Sequence, residues 1–314
     1  MRSIALACCV SVIAAPAFAQ IVRVSVSSAG VEANGPSGPP SISSSGRFVV
    51  FASAATNLVT GDTNALVDIF LRDRDTDADG IFDEPAAVAT TRVSLGPSSA
   101  QPDAASSAPV ISADGRYVAF VSTASNLAAG ANGLPQVYRV DRTTGNIVRV
   151  SESVSGDAGD ADSGAPAISA DGDVVAFQSR ATNLVTDAGS ALLGVFVREI
   201  TADRNTRISP LAQVPGPNTG TAYVWPTISD NGVRVAYQGI TVAVGGSAFV
   251  FDRTTGVTQL ATESGDVRAL AISGSGLEVI WRTSTSVARR AIDSGAALKT
   301  MQEYVRVTSS FANA

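Results

Sequence analysis

The sequence predicts an all-β chain folded as a β-propeller, a ring of four-stranded antiparallel blades. Three observations predict it. A strand–turn–strand unit recurs five times, with turn glycines at Gly46, Gly115, Gly172, Gly232 and Gly276, 44 to 69 residues apart. Two further strand signals follow in most units. Helical patterning is nearly absent, with one candidate at 296–305. A lone four-stranded sheet cannot cover both of its faces, whereas sheets stacked radially cover one another.

The elements follow in chain order. Met1-Arg2-Ser3 is a short basic start, Ile4 to Ala15 is apolar and uncharged, and Ala17-Phe18-Ala19 is an A-x-A pattern. This reads as a secretory signal peptide over 1–19, cut between Ala19 and Gln20. It leaves one domain over 20–314 and implies a periplasmic or extracellular location. The apolar run is too short to span a bilayer, and no later segment is long and apolar enough. Leu6-Ala7-Cys8 also resembles a lipobox, but that cysteine would leave almost no apolar region for the signal. Cys8 and Cys9 both lie in this segment, so the mature chain has no thiol or disulfide and depends on its core.

The first hairpins are Ser41–Phe51, Val110–Phe120, Ala167–Phe177, Thr227–Tyr237 and Ala271–Trp281. The turn glycine supplies the positive φ that a tight hairpin needs. Pro40, Pro109, Pro166 and Pro226 precede four of the first strands and are read as strand-opening residues. Asn57-Leu58, Asn126-Leu127 and Asn183-Leu184 follow at one spacing. Third strands are Asp68–Leu71, Gln136–Val140, Gly194–Val197 and Ala248–Phe251; Asp141–Gly145 and Asp252–Gly256 are matching turns. Fourth strands are Thr91–Ser94, Val148–Ser151 and Thr206–Ser209. The blades therefore span about 36–96, 106–153, 164–211, 223–263 and 267–295. Residues 20–28, through Ile21–Ser25, are expected to supply the last blade with its fourth strand and so remove an open edge. Tyr304–Thr308 competes for the same place.

The chain carries net charge -6, has one lysine, Lys299, and no histidine. Loss of Arg2 with the signal peptide takes it to -7. No basic footprint for nucleic acid or anionic lipid is present. Absence of histidine excludes Ser-His-Asp and Cys-His catalysis and His-ligated zinc.

The P-x-I-S-x-D-G-x-x-V-A-F pattern, seen in Pro109–Phe120, resembles the TolB-like, WD40-type propeller repeat of secreted bacterial proteins. The resemblance covers nearly the whole mature chain. It implies the fold and a protein partner. Propellers of that family commonly have six or more blades; five units are legible here, and a sixth stays open. The separate amino-terminal domain of TolB is not expected in this chain.

Unit one carries an insertion, Asp75-Thr76-Asp77-Ala78-Asp79-Gly80-Ile81-Phe82-Asp83-Glu84. Carboxylates at positions 1, 3 and 5, a glycine at 6 and a backbone carbonyl at 7 are the oxygen set that Ca²⁺ takes. The ligands are then Asp75, Asp77, Asp79 and the Ile81 carbonyl. Carboxylates this close repel unless a cation lies among them, and magnesium demands tighter octahedral geometry. Position 12 is Ala86, so this is not an EF-hand. The insertion is similar to the calcium hairpins of integrin α-chain propellers, and that resemblance implies Asp83 as the closing carboxylate. Glu84 falls on the other side of the hairpin. The expected role is structural, ordering a long hairpin.

Other candidates have plainer readings. Asn57, Asn126 and Asn183 are expected to brace turn backbone, and Asp114 and Asp171 to be turn residues. Arg92, Arg149 and Arg207 are expected on the outer edge, facing solvent. Phe51, Phe120, Phe177, Tyr237 and Trp281 share one repeat position and are expected between blades. Gly274-Ser275-Gly276 is not a nucleophile elbow. No catalytic residue is assigned. The chain reads as a monomeric, non-enzymatic binding or scaffold module for an envelope protein or extracellular ligand. The alternative is a carbohydrate hydrolase or lyase with paired carboxylates at the axis.

Overall fold

The computed structural model describes residues 21–186, 192–210, 222–241, 245–262, 267–283 and 286–292. The signal peptide, the helical candidate at 296–305 and the rival strand at 304–308 lie outside them. Blade one comprises β1 (Ser41–Ile42), β2 (Phe48–Ser53), β3 (Asp68–Asp73) and β4 (Ala89–Arg92). Blade two comprises β5 (Ser106–Ile111), β6 (Tyr117–Ser122), β7 (Gln136–Asp141) and β8 (Ile147–Arg149). Blade three comprises β9 (Ser163–Ile168), β10 (Val174–Ser179), β11 (Gly194–Glu199) and β12 (Arg204–Arg207). Blade four comprises β13 (Ala222–Ile228), β14 (Arg234–Thr241), β15 (Gly245–Asp252) and β16 (Val257–Leu260), and blade five β17 (Ala269–Ile272), β18 (Glu278–Arg282) and β19 (Val287–Ala291). Each sheet is an antiparallel meander in chain order. The fold is the expected five-blade β-propeller.

Alternation along each second strand makes the stack. In blade one Val50, with Ile69 and Leu71 on β3, packs against Val118, Phe120 and Tyr138 of blade two. Ala119 and Val137 then meet Val175, Phe177 and Phe196 of blade three. The pattern repeats to blade four and from blade four to Val279 of blade five. Small residues on one face thus receive the aromatics of the next blade. Cross-strand ring pairs fill this space: Phe120–Tyr138 at 6.1 Å between centroids, Phe177–Phe196 at 5.9 Å and Tyr237–Phe249 at 5.6 Å; the matching pair of blade one, Phe51–Phe70 at 6.0 Å, packs instead on Ala55, Leu58 and Ala33. Trp281 faces Ala288 across the strands and forms no such pair.

The turn glycines have a second reason to be glycine. Gly115 has φ +76°, and a Cβ there would run into the ring of Phe48 on the preceding blade; Gly172 stands the same way against Tyr117. Glycine allows both the left-handed backbone and the close approach of blades.

Three expectations need correction. Pro109, Pro166 and Pro226 do not open their strands. They lie inside β5, β9 and β13, at register shifts between Ser107 and Val110, between Gly164 and Ala167, and between Val224 and Thr227. Proline survives there because the first strand is an edge strand and the bulge needs no ladder donor. The sheet of blade five has three strands among the described residues, with no pairing to the described residues 21–28. The described part of that segment lies on blade one: Val26 bridges Glu32, the Thr90 hydroxyl donates to the Val26 carbonyl, and the Thr90 amide donates to Ser28 Oγ. The reason is repetition, since the Val26–Glu32 turn has the form of the Glu152–Ala158 turn that leads into blade three.

The fourth-strand arginines, finally, do not face solvent. Arg92 and Arg149 are buried. Each stands across from an aromatic of the third strand, Phe70 opposite Arg92, Tyr138 opposite Arg149 and Phe196 opposite Arg207, so all three share the covered face of the sheet. Arg92 bonds Asp62 at 3.1 Å and Asp68 at 3.0 Å. Arg149 donates to the Ala129 carbonyl, and Arg207 lies 5.5 Å from the Phe196 centroid.

Candidate functional site

Two regions could do more than hold the ring together: the acidic insertion of blade one and the first strands that line the axis.

The insertion begins on a framework that other blades share. Asp73 accepts from Arg47 Nε at 2.8 Å, and the Asp75 amide donates to Asp73 Oδ1 at 3.1 Å. Arg74 donates to the Gly46 carbonyl at 2.9 Å. From there the chain turns back on itself. The buried Asp75 carboxylate accepts from the amides of Asp79 and Gly80, both at 3.1 Å. Asp79 accepts from the Ile81 amide at 2.8 Å, and Gly80 has φ +88°. These bonds bring Asp75, Asp77 and Asp79 together, with one carboxylate oxygen from each within 4.8 Å of the others. The two outer aspartates are exposed, so an ion could enter from solvent. Limited desolvation, together with the nearby Asp79, Asp77 and Asp75 charges, holds the Glu84 carboxyl above its ordinary value. The donor set, hard oxygens around a glycine turn, fits Ca²⁺.

Asp83 stands apart from this cluster. Its carboxylate takes a two-pronged bond from Arg74, with Nε at 3.0 Å and Nη2 at 2.5 Å. The Arg74 guanidinium also lies over the Phe82 ring at 4.8 Å. Ile81 is half exposed at 56%. Of the five residues read from sequence, the fold therefore gathers three and gives Asp83 a cationic partner. Arg74 is the residue that sequence reading missed. Its signal was available, because Asp-Arg opens the equivalent turns at Asp141-Arg142 and Asp252-Arg253.

The axis has the opposite character. The five first strands read Ser-Ile, Ser-Ser-Ala-Pro-Val-Ile, Ser-Gly-Ala-Pro-Ala-Ile, Ala-Tyr-Val-Trp-Pro-Thr-Ile and Ala-Leu-Ala-Ile. None carries Asp, Glu, Lys or Arg. The carboxylates are spent elsewhere. Asp73, Asp141 and Asp252 hold Arg47, Arg116 and Arg234 at the outer turns. The Arg116 bond keeps Asp141 well below the usual carboxylate range, against the opposing effect of burial. Asp114 and Asp171 accept from the backbone two residues on, as turn residues do.

Asn57, Asn126 and Asn183 brace backbone as expected, but that of the incoming connection. Asn57 accepts from the Asn34 amide at 2.9 Å and donates to the Glu32 carbonyl at 2.8 Å. Asn126 makes the same pair with Asp103 and Gln101, and Asn183 with Asp160 and Ala158.

A cavity of about 350 Å³ lies between the 152–156 turn and blade three, lined by Glu152, Arg198, Asp203 and Asn205 among others. Burial pushes the Glu152 carboxyl up, and the nearby Arg198 offsets part of that. Both Glu152 and Asp203 are paired with Arg198. At the same place in blade one, Arg72 donates to the Ser27 carbonyl and to Thr90. The arginine is thus part of the repeat.

No family model matches the chain, and no curated protein matches it. Solved structures do. TolB from Acinetobacter baumannii is 16% identical with TM-score 0.48, over 83% of this chain and 53% of that one. A putative TolB from Agrobacterium tumefaciens is 14% identical with TM-score 0.50, over 86% and 80%. A structure from a study of two prolyl endopeptidases is 9% identical with TM-score 0.52, over 88% of this chain but 37% of that one. The chain thus spans about half of the first and little over a third of the third. The second and third likenesses show a shared fold.

Proposed function

We propose that the protein is a secreted or periplasmic, non-enzymatic propeller that acts as a binding or scaffold module, with a structural Ca²⁺ ion in the insertion of blade one. The observation that supports this best is the lack of charged side chains on the first strands. Hydrolysis or elimination with paired carboxylates needs two acids beside the substrate at the centre of the ring, and the first strands carry none. Propellers display ligand-binding loops around a rigid ring, so first strands without charged side chains suit recognition. The predicted signal peptide supports the location, and the net charge of -6 argues for a partner other than nucleic acid. By fold likeness to TolB, an envelope protein is the partner class proposed.

Asp75, Asp77, Asp79 and the Ile81 carbonyl are the proposed ligands for calcium, with Asp83 as the closing carboxylate once it leaves Arg74. The ion offsets the mutual repulsion of the three clustered carboxylates and orders the hairpin. The affinity fits extracellular calcium, roughly 10⁻⁴ to 10⁻³ M.

Cross-linked capture from an envelope extract of the secreting cells tests the module. A specific, saturable partner supports it. Turnover of a polysaccharide by the purified chain, lost on mutation of an acid near the axis, would replace it with the hydrolase alternative.

A further inference from the structure

One residue on the first strands is out of character. Trp225 is 52% exposed, while its neighbours Tyr223, Val224 and Pro226 are buried. It sits at the β-bulge of β13 with φ +50°. A bulky residue at positive φ is a backbone outlier, and a following proline restricts it further. Packing accounts for only part of this choice, because about half of the residue's surface stays in water. The bulge itself belongs to the repeat: Ala108 (φ +50°) and Ala165 (φ +47°) hold the same place before Pro109 and Pro166. The fold therefore needs a bulge there but asks only for a methyl side chain. Indole at this site is an addition to the scaffold, and such outliers concentrate where ligands are held.

The surroundings set the chemistry. The Trp225 amide donates to Gln178 Oε1 at 3.2 Å, which leaves the Gln178 amide NH₂ as a donor beside the strand. The matching positions of the neighbouring first strands are Ser107-Ala108 and Gly164-Ala165, small and uncharged. An ionic ligand would find no counter-charge on these strands. A flat apolar surface with neutral hydrogen-bonding groups is complementary to the apolar face and hydroxyls of a sugar ring.

We propose that Trp225 is the stacking surface of a binding site for a neutral saccharide on the axis-lining strands, with Gln178 as its hydrogen-bonding partner. The proposal rests on the reading of the protein as a binding module and names the ligand class of that module.

The chain has two tryptophans, so Trp281→Phe leaves Trp225 as the sole indole reporter. This variant is titrated with maltohexaose, cellohexaose and chitohexaose while tryptophan emission is followed. At least one sugar gives a saturable change. Calorimetry with the same sugar shows binding at least about tenfold weaker in Trp225→Ala and partly retained in Trp225→Phe. Because alanine occupies the same bulge in blades two and three, Trp225→Ala keeps its melting temperature. No response to any of the three sugars, or equal binding by Trp225→Ala, overturns the proposal. A response to a proline-rich peptide with none to sugar overturns the saccharide class and leaves the module standing. A sugar that is bound at Trp225 and then cleaved overturns the non-enzymatic reading and leaves the site standing.

Discussion

Blades one and two start their third turns in the same way and finish them differently. In blade two, Asp141 holds Arg116, its Oδ1 accepts from the Thr143 amide, and Arg142 reaches back to the Gly115 carbonyl while lying over Phe48. In blade one, Asp73 holds Arg47, accepts from the Asp75 amide, and Arg74 reaches back to the Gly46 carbonyl. Up to that point the two are the same device. Blade two then closes with Thr143-Thr144-Gly145, whereas blade one runs out through three clustered aspartates before β4. The difference teaches that the Asp-Arg latch is the scaffold, and that whatever lies beyond it is free to acquire chemistry. A second contrast lies beneath. Arg92 of blade one is neutralised by two buried carboxylates, while its counterpart Arg149 relies on a carbonyl.

The largest expected effect tests that second contrast. Arg92→Ala leaves Asp62 and Asp68 buried without their cation and costs about 3 to 5 kcal/mol, whereas Arg149→Ala costs about 1 to 3 kcal/mol. Urea unfolding of both variants gives the comparison; equal losses would show that the carboxylates add nothing. Next come the latches. Arg74→Ala and Arg142→Ala each remove a charged bond to a turn carbonyl and are expected to lose about 1.5 to 3 kcal/mol. A large inequality would mean that Asp83 gives Arg74 a separate task.

Calcium distinguishes the blades at a smaller scale. At tenfold the dissociation constant, the ion adds about 1.4 kcal/mol, which raises the melting temperature by a few degrees, about 2 to 4 °C per kcal/mol in a chain of this size. EDTA and Asp75→Ala abolish the rise, while Asp141→Asn leaves it intact. No shift with millimolar calcium sinks the metal assignment.

The smallest effect is in pH. The Asp141 carboxyl is held low in the folded chain, chiefly by Arg116. Its stabilisation is present above the unfolded value near pH 4 and is lost as pH falls through the lower folded value. Asp141→Asn therefore loses less stability between about pH 4 and 2 than the parent, by under about 1 kcal/mol because Arg116 is 45% exposed. Asp62 runs the other way. Burial raises its carboxyl against the pull of Arg92, so it keeps its proton to higher pH and opposes folding once it ionises. Asp62→Asn removes that contribution and steepens the acid loss. Denaturant melts across this range read both slopes.

Much of this was legible in sequence because repetition carried it. The turn glycines, the aromatics at Phe51, Phe120, Phe177 and Tyr237, and the Asn57–Asn126–Asn183 series each recur in register, and a recurring residue has a scaffold reason. The arginine series recurs too, but repetition does not say which face it takes. Arginine on a short edge strand suggests solvent, and only the pairing of Arg92 with Phe70 places it on the covered face. The place of the prolines inside their strands was not legible because a bulge is invisible until register is known. The three gathered aspartates followed from spacing, but Asp83 did not. Its bond to Arg74 depends on how a ten-residue loop folds back, which spacing alone does not encode. Trp225 is silent in the sequence because it replaces alanine at a bulge that only strand register reveals.

The two-way bonds of Asn57, Asn126 and Asn183 have a consequence for how such a ring could change in evolution. Where the chain enters blades one, two and three, the incoming connection is fastened by the same small set of amide contacts, within about 25 residues of chain. A duplication or deletion of one whole unit would regenerate the fastening at its new border without any compensating substitution. Blade number in this architecture is therefore a quantity that recombination can adjust, while the joint between neighbours is what selection must keep.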